Sequence, residues 1–179
     1  MSTWMEDTNI VYGDSTSQST AAYNTYYYGT AMSGNRSVTF NQIPALTKKI
    51  TVVFDQVSTN GTSPIIIQAG TVYGYSSMGS TNWTTLSSAA GLLTMQANAN
   101  TLYNSGVYTL SSLGTTSPVE GSVGYWSYSG TMSQYPSYIG TGQGGFSTYG
   151  SSLNSITITT LNGTDTFTGG ITNIIIDGY

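Results

Sequence analysis

The sequence predicts an all-β protein: a jelly-roll-like antiparallel β-sandwich in one domain, behind an extended N-terminal arm. Three observations predict it. Short runs of β-branched residues recur at roughly ten-residue spacing with Gly and Asn turns between them. No window sustains the 3.6-residue period of a helix, because Gly, Ser and Thr interrupt each one. Hydrophobic residues make up 38% of the 179-residue chain and charged residues only 6%, against about 25% charged in an average domain. The composition therefore provides a core to bury and too little charge to keep an open chain solvated.

Residues 1–35 are polar and punctuated by tyrosine, as in AAYNTYYYGT (21–30), and hold the acids Glu6, Asp7 and Asp14. This segment is expected to be an arm that packs on the body or on a partner, with Trp4, Tyr12, Tyr26, Tyr27 and Tyr28 as its docking side chains. The body spans 36–179. RSVTFNQIPALTKKITVVFDQV (36–57) carries two strands around a turn, and in the second of them Ile50, Val52 and Phe54 share one face. STNGTS (58–63) is a turn centred on Asn60–Gly61, a pair that accepts positive φ cheaply. PIIIQAG (64–70) is a buried-type strand, and TVYGYSS (71–77) is the next strand or a loop leaving it. LSSAAGLLTMQANA (86–99) is the one helix candidate, while GLLTMQANANTLYNSGVYTLSSL (91–113) reads as a two-stranded hairpin. In the last segment, Ile156 and Ile158 alternate ahead of an Asn162–Gly163 turn, a short Thr/Phe strand and a break at Gly169–Gly170. The final strand has Ile171 and Ile175 on one face and Ile174 and Ile176 on the other, so it belongs inside a sheet or under a neighbouring subunit.

Residues 124–152, GYWSYSGTMSQYPSYIGTGQGGFSTYGSS, combine seven aromatic residues with seven glycines and no charge. The segment reads as too broken by Gly and Ser for a regular strand or helix. Rigid amphipathic rings beside small residues are the composition of binding loops, and Tyr and Trp faces also stack on the C–H patches of sugars. Trp83, Tyr125, Trp126, Tyr128, Tyr135, Tyr138 and Tyr149 are thus candidate contacts, either to a glycan or to protein across an interface. The glycan version predicts that Trp126→Ala abolishes binding and leaves the fold intact.

Several chemistries are excluded. The chain has no His and no Cys, which removes His-based triads, His-ligated metals, thiolate catalysis and disulfides. Of the carboxylates, Asp55, Glu120 and Asp165 lie within the body; Asp165 reads as a turn acceptor and Asp55 as solvent-facing or paired with Lys48 or Lys49. No catalytic residue, cofactor site or metal site is expected. Three cations, Arg36, Lys48 and Lys49, at net charge −4 cannot neutralise a phosphate backbone or an anionic membrane. No apolar run is long enough for a membrane-spanning helix, and the start, MSTWMEDTNIVYGD, lacks the pattern of a signal peptide. The glycosylation-like triplets at 35–37, 60–62, 82–84 and 162–164 are what an Asn-, Ser- and Thr-rich chain produces by chance.

The strings IPALTKKITVVFDQVSTNGTSPIIIQAG (43–70) and SITITTLNGTDTFTGGITNIIIDGY (155–179) resemble the C-terminal β-sandwich domain of tail-fibre and virion-surface proteins of tailed bacteriophages, cyanophages among them. VSTNGTS and NGTDTF are the most specific pieces. The resemblance implies a non-enzymatic structural role on the virion, synthesis in the host cytoplasm and assembly as a homotrimer with other virion proteins as partners. It leaves open a tail-fibre or appendage module and a head decoration (cement) protein docked on the capsid. A lectin-like module contacting host surface polysaccharide is the reading from a different class.

Overall fold

The computed structural model describes residues 4–6, 9–11, 17–18, 26–44, 47–70, 72–81, 84–94, 102–115, 123–134, 138–149 and 153–178. In chain order the strands are β1 (Trp4–Glu6), β2 (Asn9–Val11), β3 (Ser17–Gln18), β4 (Tyr26–Ala31), β5 (Ser37–Asn41), β6 (Thr47–Thr59), β7 (Ile65–Ala69) and β8 (Val72–Thr81). They continue as β9 (Thr84–Ser88), β10 (Leu92–Leu93), β11 (Asn104–Thr115), β12 (Val123–Gln134), β13 (Tyr138–Tyr149), β14 (Ser155–Thr160) and β15 (Phe167–Gly178). No helix occurs among the described residues. An eight-stranded sheet, ordered β4-β15-β6-β11-β12-β13-β8-β9, faces a four-stranded sheet, ordered β10-β7-β14-β5, and β1–β3 form a small sheet of their own. Every pairing is antiparallel, as a sandwich of this class requires.

Period-two alternation sets the core. Ile50, Val52 and Phe54 of β6 and Ile174 and Ile176 of β15 point inward from the large sheet. They meet Val38 and Phe40 of β5 and Ile156 and Ile158 of β14, all within one cluster. β15 lies between β4 and β6, inside the sheet, as its apolar character on both faces required. The Gly169–Gly170 pair is not a break: β15 runs through it as one strand. Gly170 has φ 94° and Gln56 opposite it has φ 52°, and the register shifts on both sides of Gly169. This bulge exchanges the faces of both strands. Inward residues are even-numbered in β6 from Ile50 to Phe54 and then include Val57 and Thr59; in β15 they pass from Phe167 to Thr172, Ile174 and Ile176.

Residues 124–152 also differ from their sequence reading. β12 and β13 are regular strands of twelve residues each, paired from Val123↔Tyr149 to Gln134↔Tyr138 without a register shift. Glycine and rings interleave here because large inward side chains need empty space across the ladder. Gly130 lies opposite Tyr108, and a Cβ at Gly130 would fall 2.3 Å from that ring. Tyr108 then stacks on Tyr128 at 5.4 Å and meets Phe54 edge-on at 6.0 Å.

The expected hairpin at 91–113 does not form. β10 pairs with β7 in the small sheet, whereas β11 pairs with β6 and β12 in the large one, so the chain changes sheets between them. The helix candidate over 86–99 is strand and turn through Thr94; its remainder lies outside the described residues. What competes with a hairpin is a set of hydroxyls that ties β10 to the opposite sheet. Tyr128 OH donates to Leu93 O at 2.5 Å, and Tyr108 OH donates to Thr94 O. Ser77 Oγ donates to Gly91 O at 2.7 Å and accepts from Leu93 N at 3.2 Å. A two-residue strand leaves buried carbonyls without ladder partners, and these side chains supply them.

Burial raises the pKa of all three inward tyrosines: Tyr75 is pushed up to about 12, and Tyr108 and Tyr128 are also raised by loss of solvent. In the unfolded chain a tyrosine ionises near pH 10. Their contribution to stability is therefore complete below about pH 10 and is lost as pH rises through the folded values. Thermal melting should be insensitive to these groups from neutral pH to about pH 9 and fall steeply above about pH 10, with the phenolate absorbance of these three rings appearing only together with unfolding. Phenolate absorbance from these three rings while the fold persists near pH 10 would contradict the assignment.

The two turns that carry the resemblance lie against each other. Asn60 N donates to Thr166 O at 2.9 Å, and Asn60 Oδ1 accepts from Thr166 N at 2.7 Å. Asp165 accepts from Ser63 N at 3.1 Å and from Asn162 Nδ2 at 2.7 Å, while Asn162 N donates to Ser63 Oγ at 3.0 Å. Asp165 is thus the expected turn acceptor, and it also joins its own turn to one 102 residues away in sequence. A Cβ at Gly61 would sit 2.1 Å from the Asp165 carboxylate, which would have to move out of its turn contacts to admit one.

Candidate functional site

The described candidate rings divide by phase along β12. Tyr125 is 47% exposed on the outer face of the large sheet, while Trp126 and Tyr128 are 3% and 2% exposed and belong to the core. The sequence-based assignment of Trp126 and Tyr128 to a glycan or interface contact is therefore corrected. Trp126 stacks on Phe146 at 5.9 Å, and Tyr128 spends its hydroxyl on Leu93 O. The backbone of Tyr138 and Tyr149 marks the two ends of β13, but their side chains lie outside the described residues, as do Trp83 and Tyr135 entirely.

The proposed docking arm also divides. Trp4 lies in β1, Tyr12 is outside the described residues, and Tyr26, Tyr27 and Tyr28 form the backbone of β4, paired with Ile176, Ile175 and Ile174. The side chains of these four strand residues are outside the description. Because β4 completes the edge of the large sheet, the body begins by Tyr26 rather than at Arg36.

The outer face of the eight-stranded sheet is the surface that sequence reasoning missed. Among the described residues, six of the seven large hydrophobics exposed to solvent lie on it: Met78, Val107, Leu113, Tyr125, Ile139 and Ile171. Strands β8, β9, β11, β12 and β13 contain no charged residue. The charges of the face are Asp55, which is exposed, and the Lys49–Asp177 pair at 3.3 Å, all on β6 and β15. That exposed pair contributes on the order of 0–1 kcal/mol.

The face has two parts. At the β15–β6–β11 end, Val107 lies beside half-buried Val53, with Ile171 and Ile175 on the next strand. At the β12–β13–β8 end, two adjoining hollows sit over positions where glycine leaves the backbone bare. The larger, about 520 Å³, is lined by Ser76, Met78, Ser87, Ser127, Ser129 and Gln143. The smaller, about 370 Å³, is lined by Gly74, Ser76, Leu113, Tyr125, Gly145 and Ser147. Adjacent strands turn by roughly 20–25°, so ends several strands apart face different directions.

No acid–base or metal constellation lies on this surface. Among the described residues there is no group of His, Cys, Asp and Glu able to hold a metal ion. Asp165 is engaged in the turn contact, and Glu120 lies outside the described residues. What the face offers is hydroxyl and amide hydrogen bonding, one exposed ring and apolar area. The phase of Ser127, Ser129, Thr131 and Ser133, alternating with inward Tyr128, Gly130, Met132 and Gln134, was the available signal for it. Compared with known proteins, the chain matches no family model, no curated protein and no solved structure.

Proposed function

We propose that this chain is a non-enzymatic structural protein of the surface of a tailed-bacteriophage virion, an appendage or tail-fibre-type module that assembles with sister copies as a homotrimer. The observation that carries the assembly is the apolar cluster on interior strands: Val107 at 46% and Ile171 at 45% exposure, beside half-buried Val53 and Ile175. Exposed apolar side chains grouped on interior strands of a sheet mark a surface that a partner covers. β15, β6 and β11, with twelve, thirteen and twelve residues, span roughly 600 Å² of face, and β4 adds to it. A stable interface takes about 800 Å² from each partner. The particle context rests on the resemblance of 43–70 and 155–179, whose two most specific pieces form the linked turns at Asn60 and Asn162.

Val107→Lys with Ile171→Lys is expected to dissociate the assembly, weakening it at least tenfold, about 1.4 kcal/mol. The thermal stability of the separated chain should stay close to wild type, because both side chains are exposed. Sedimentation of the double variant checks this. Placement is the test of the particle reading. Cryo-electron microscopy of purified tailed particles carrying this chain should show its density on the outer surface in groups of three. Density at tail or neck identifies an appendage, and density on capsomers identifies the head decoration protein instead. A chain missing from purified particles overturns the reading.

A further inference from the structure

The two hollows at the β12–β13–β8 end adjoin the proposed assembly surface at Leu113 of β11, and their chemistry does not depend on it. From their lining we infer that they form one binding trough for an uncharged saccharide chain, with Tyr125 as the stacking ring. The trough is built by cross-strand rows. Tyr125, Ser147 and Gly74 are neighbours in one row, Ser127, Gly145 and Ser76 in the next, and Ser129, Gln143, Met78 and Ser87 in a third. From the first row to the third is roughly 13 Å along the strands, room for more than one pyranose ring. Gly74 and Gly145 leave the floor without side chains where Tyr125 and Leu113 stand at the rim.

Ser127 Oγ donates to Ser111 O at 3.4 Å, but four other hydrogen-bonding side chains of the trough are unused among the described residues. The side chains of Ser76, Ser87, Ser129 and Gln143 bond to no other described residue. Elsewhere on the same face hydroxyls pair with the protein: Ser80 Oγ with Thr141 Oγ1 at 2.7 Å, and Ser133 Oγ with Ser105 O at 3.1 Å. Hydroxyl and amide groups both donate and accept, which matches a ligand made of hydroxyls and ring oxygens. Tyr125 at 47%, Leu113 at 69% and Met78 at 43% exposure offer apolar surface to the C–H face of a sugar. No cation lies on β8, β9, β11, β12 or β13 to hold a carboxylate or sulfate, and the chain carries net charge −4, so acidic saccharides are disfavoured.

The test titrates the full chain with maltohexaose, cellohexaose, mannohexaose and chitohexaose, with hexagalacturonate as the acidic probe and a neutral Gly/Ser hexapeptide as the peptide probe. Binding is read by calorimetry and ligand-observed NMR. At least one neutral hexasaccharide should bind. Tyr125→Ala and Gly74→Leu should each weaken it at least tenfold, about 1.4 kcal/mol. A Cβ at Gly74 meets nothing within 4 Å, so leucine there fills the trough and leaves the fold undisturbed. Asn41→Ala, on the small sheet, should bind as wild type. Melting and sedimentation of every variant should match wild type, which separates loss of this site from loss of assembly. Binding of none of the neutral sugars, of hexagalacturonate alone or of the peptide alone overturns the inference. So does binding that survives both trough variants, or that falls only in step with dissociation.

Discussion

Trp126→Ala is expected to cost the fold about 3–5 kcal/mol, whereas Tyr125→Ala beside it costs less than about 1 kcal/mol. The contrast follows from one step along a strand. Trp126 is 3% exposed, stacks on Phe146 with the ring planes 7° apart, and belongs to the core cluster shared by both sheets. Removing it leaves a cavity between strands whose backbone is fixed by twelve consecutive pairings, so the site cannot collapse around the loss. Tyr125 points outward and loses only a partly solvated contact. For a chain of this size the first change should lower Tm by roughly 10 °C. A large cost for Tyr125→Ala beside a small one for Trp126→Ala would mean that β12 presents the other face inward.

Gly142→Ala is expected to destabilise by about 2–5 kcal/mol, although it adds a single methyl group. The added carbon would sit 2.0 Å from Leu93 O and 2.5 Å from the Tyr128 hydroxyl. It therefore separates the two atoms whose hydrogen bond ties β10 to the large sheet, and Leu93 O loses its donor in a dry interior. The obstacle is backbone, so no side-chain rotation relieves it. Gly74→Ala is the control. It makes the same substitution in β8, the strand that pairs with β13, where the new methyl meets nothing within 4 Å, and it should be close to neutral. Tyr128→Phe removes the same hydrogen bond without the clash. Combined with Gly142→Ala it should cost less than the sum of the two. Chemical denaturation of the four proteins measures all of this, and a wild-type stability for Gly142→Ala would show that β10 does not lie where it is described.

The strands whose inward positions are filled by aliphatic β-branched residues were legible. Ile50, Val52 and Phe54, then Ile156 and Ile158, announce their phase, and Asn60–Gly61 and Asn162–Gly163 announce their turns. β12 and β13 were not legible in the same way. Inward glycines supply space rather than apolar area, and Tyr125 beside Trp126 places rings on both faces, which hides the alternation. Pairing partners were less legible still. Leu92 and Leu93 look like half of a local hairpin, yet hydroxyls from Ser77, Tyr108 and Tyr128, distant in sequence, hold that strand on the other side of the core. The bulge at Gly170 looked like an interruption because a glycine pair marks a change of direction and does not say whether the ladder resumes. The outer face escaped notice because its Ser and Thr residues read as loop composition until the strands assigned them one side.

The assembly of sister copies through the Val107–Ile171 end of the large sheet is the claim most directly open to measurement. Sedimentation velocity of the purified chain, diluted from micromolar to nanomolar concentration, should show a species of three times the 18.9 kDa chain mass. Val107→Lys with Ile171→Lys should convert it to single chains. A folded wild-type protein that sediments as one chain across the whole range would contradict it.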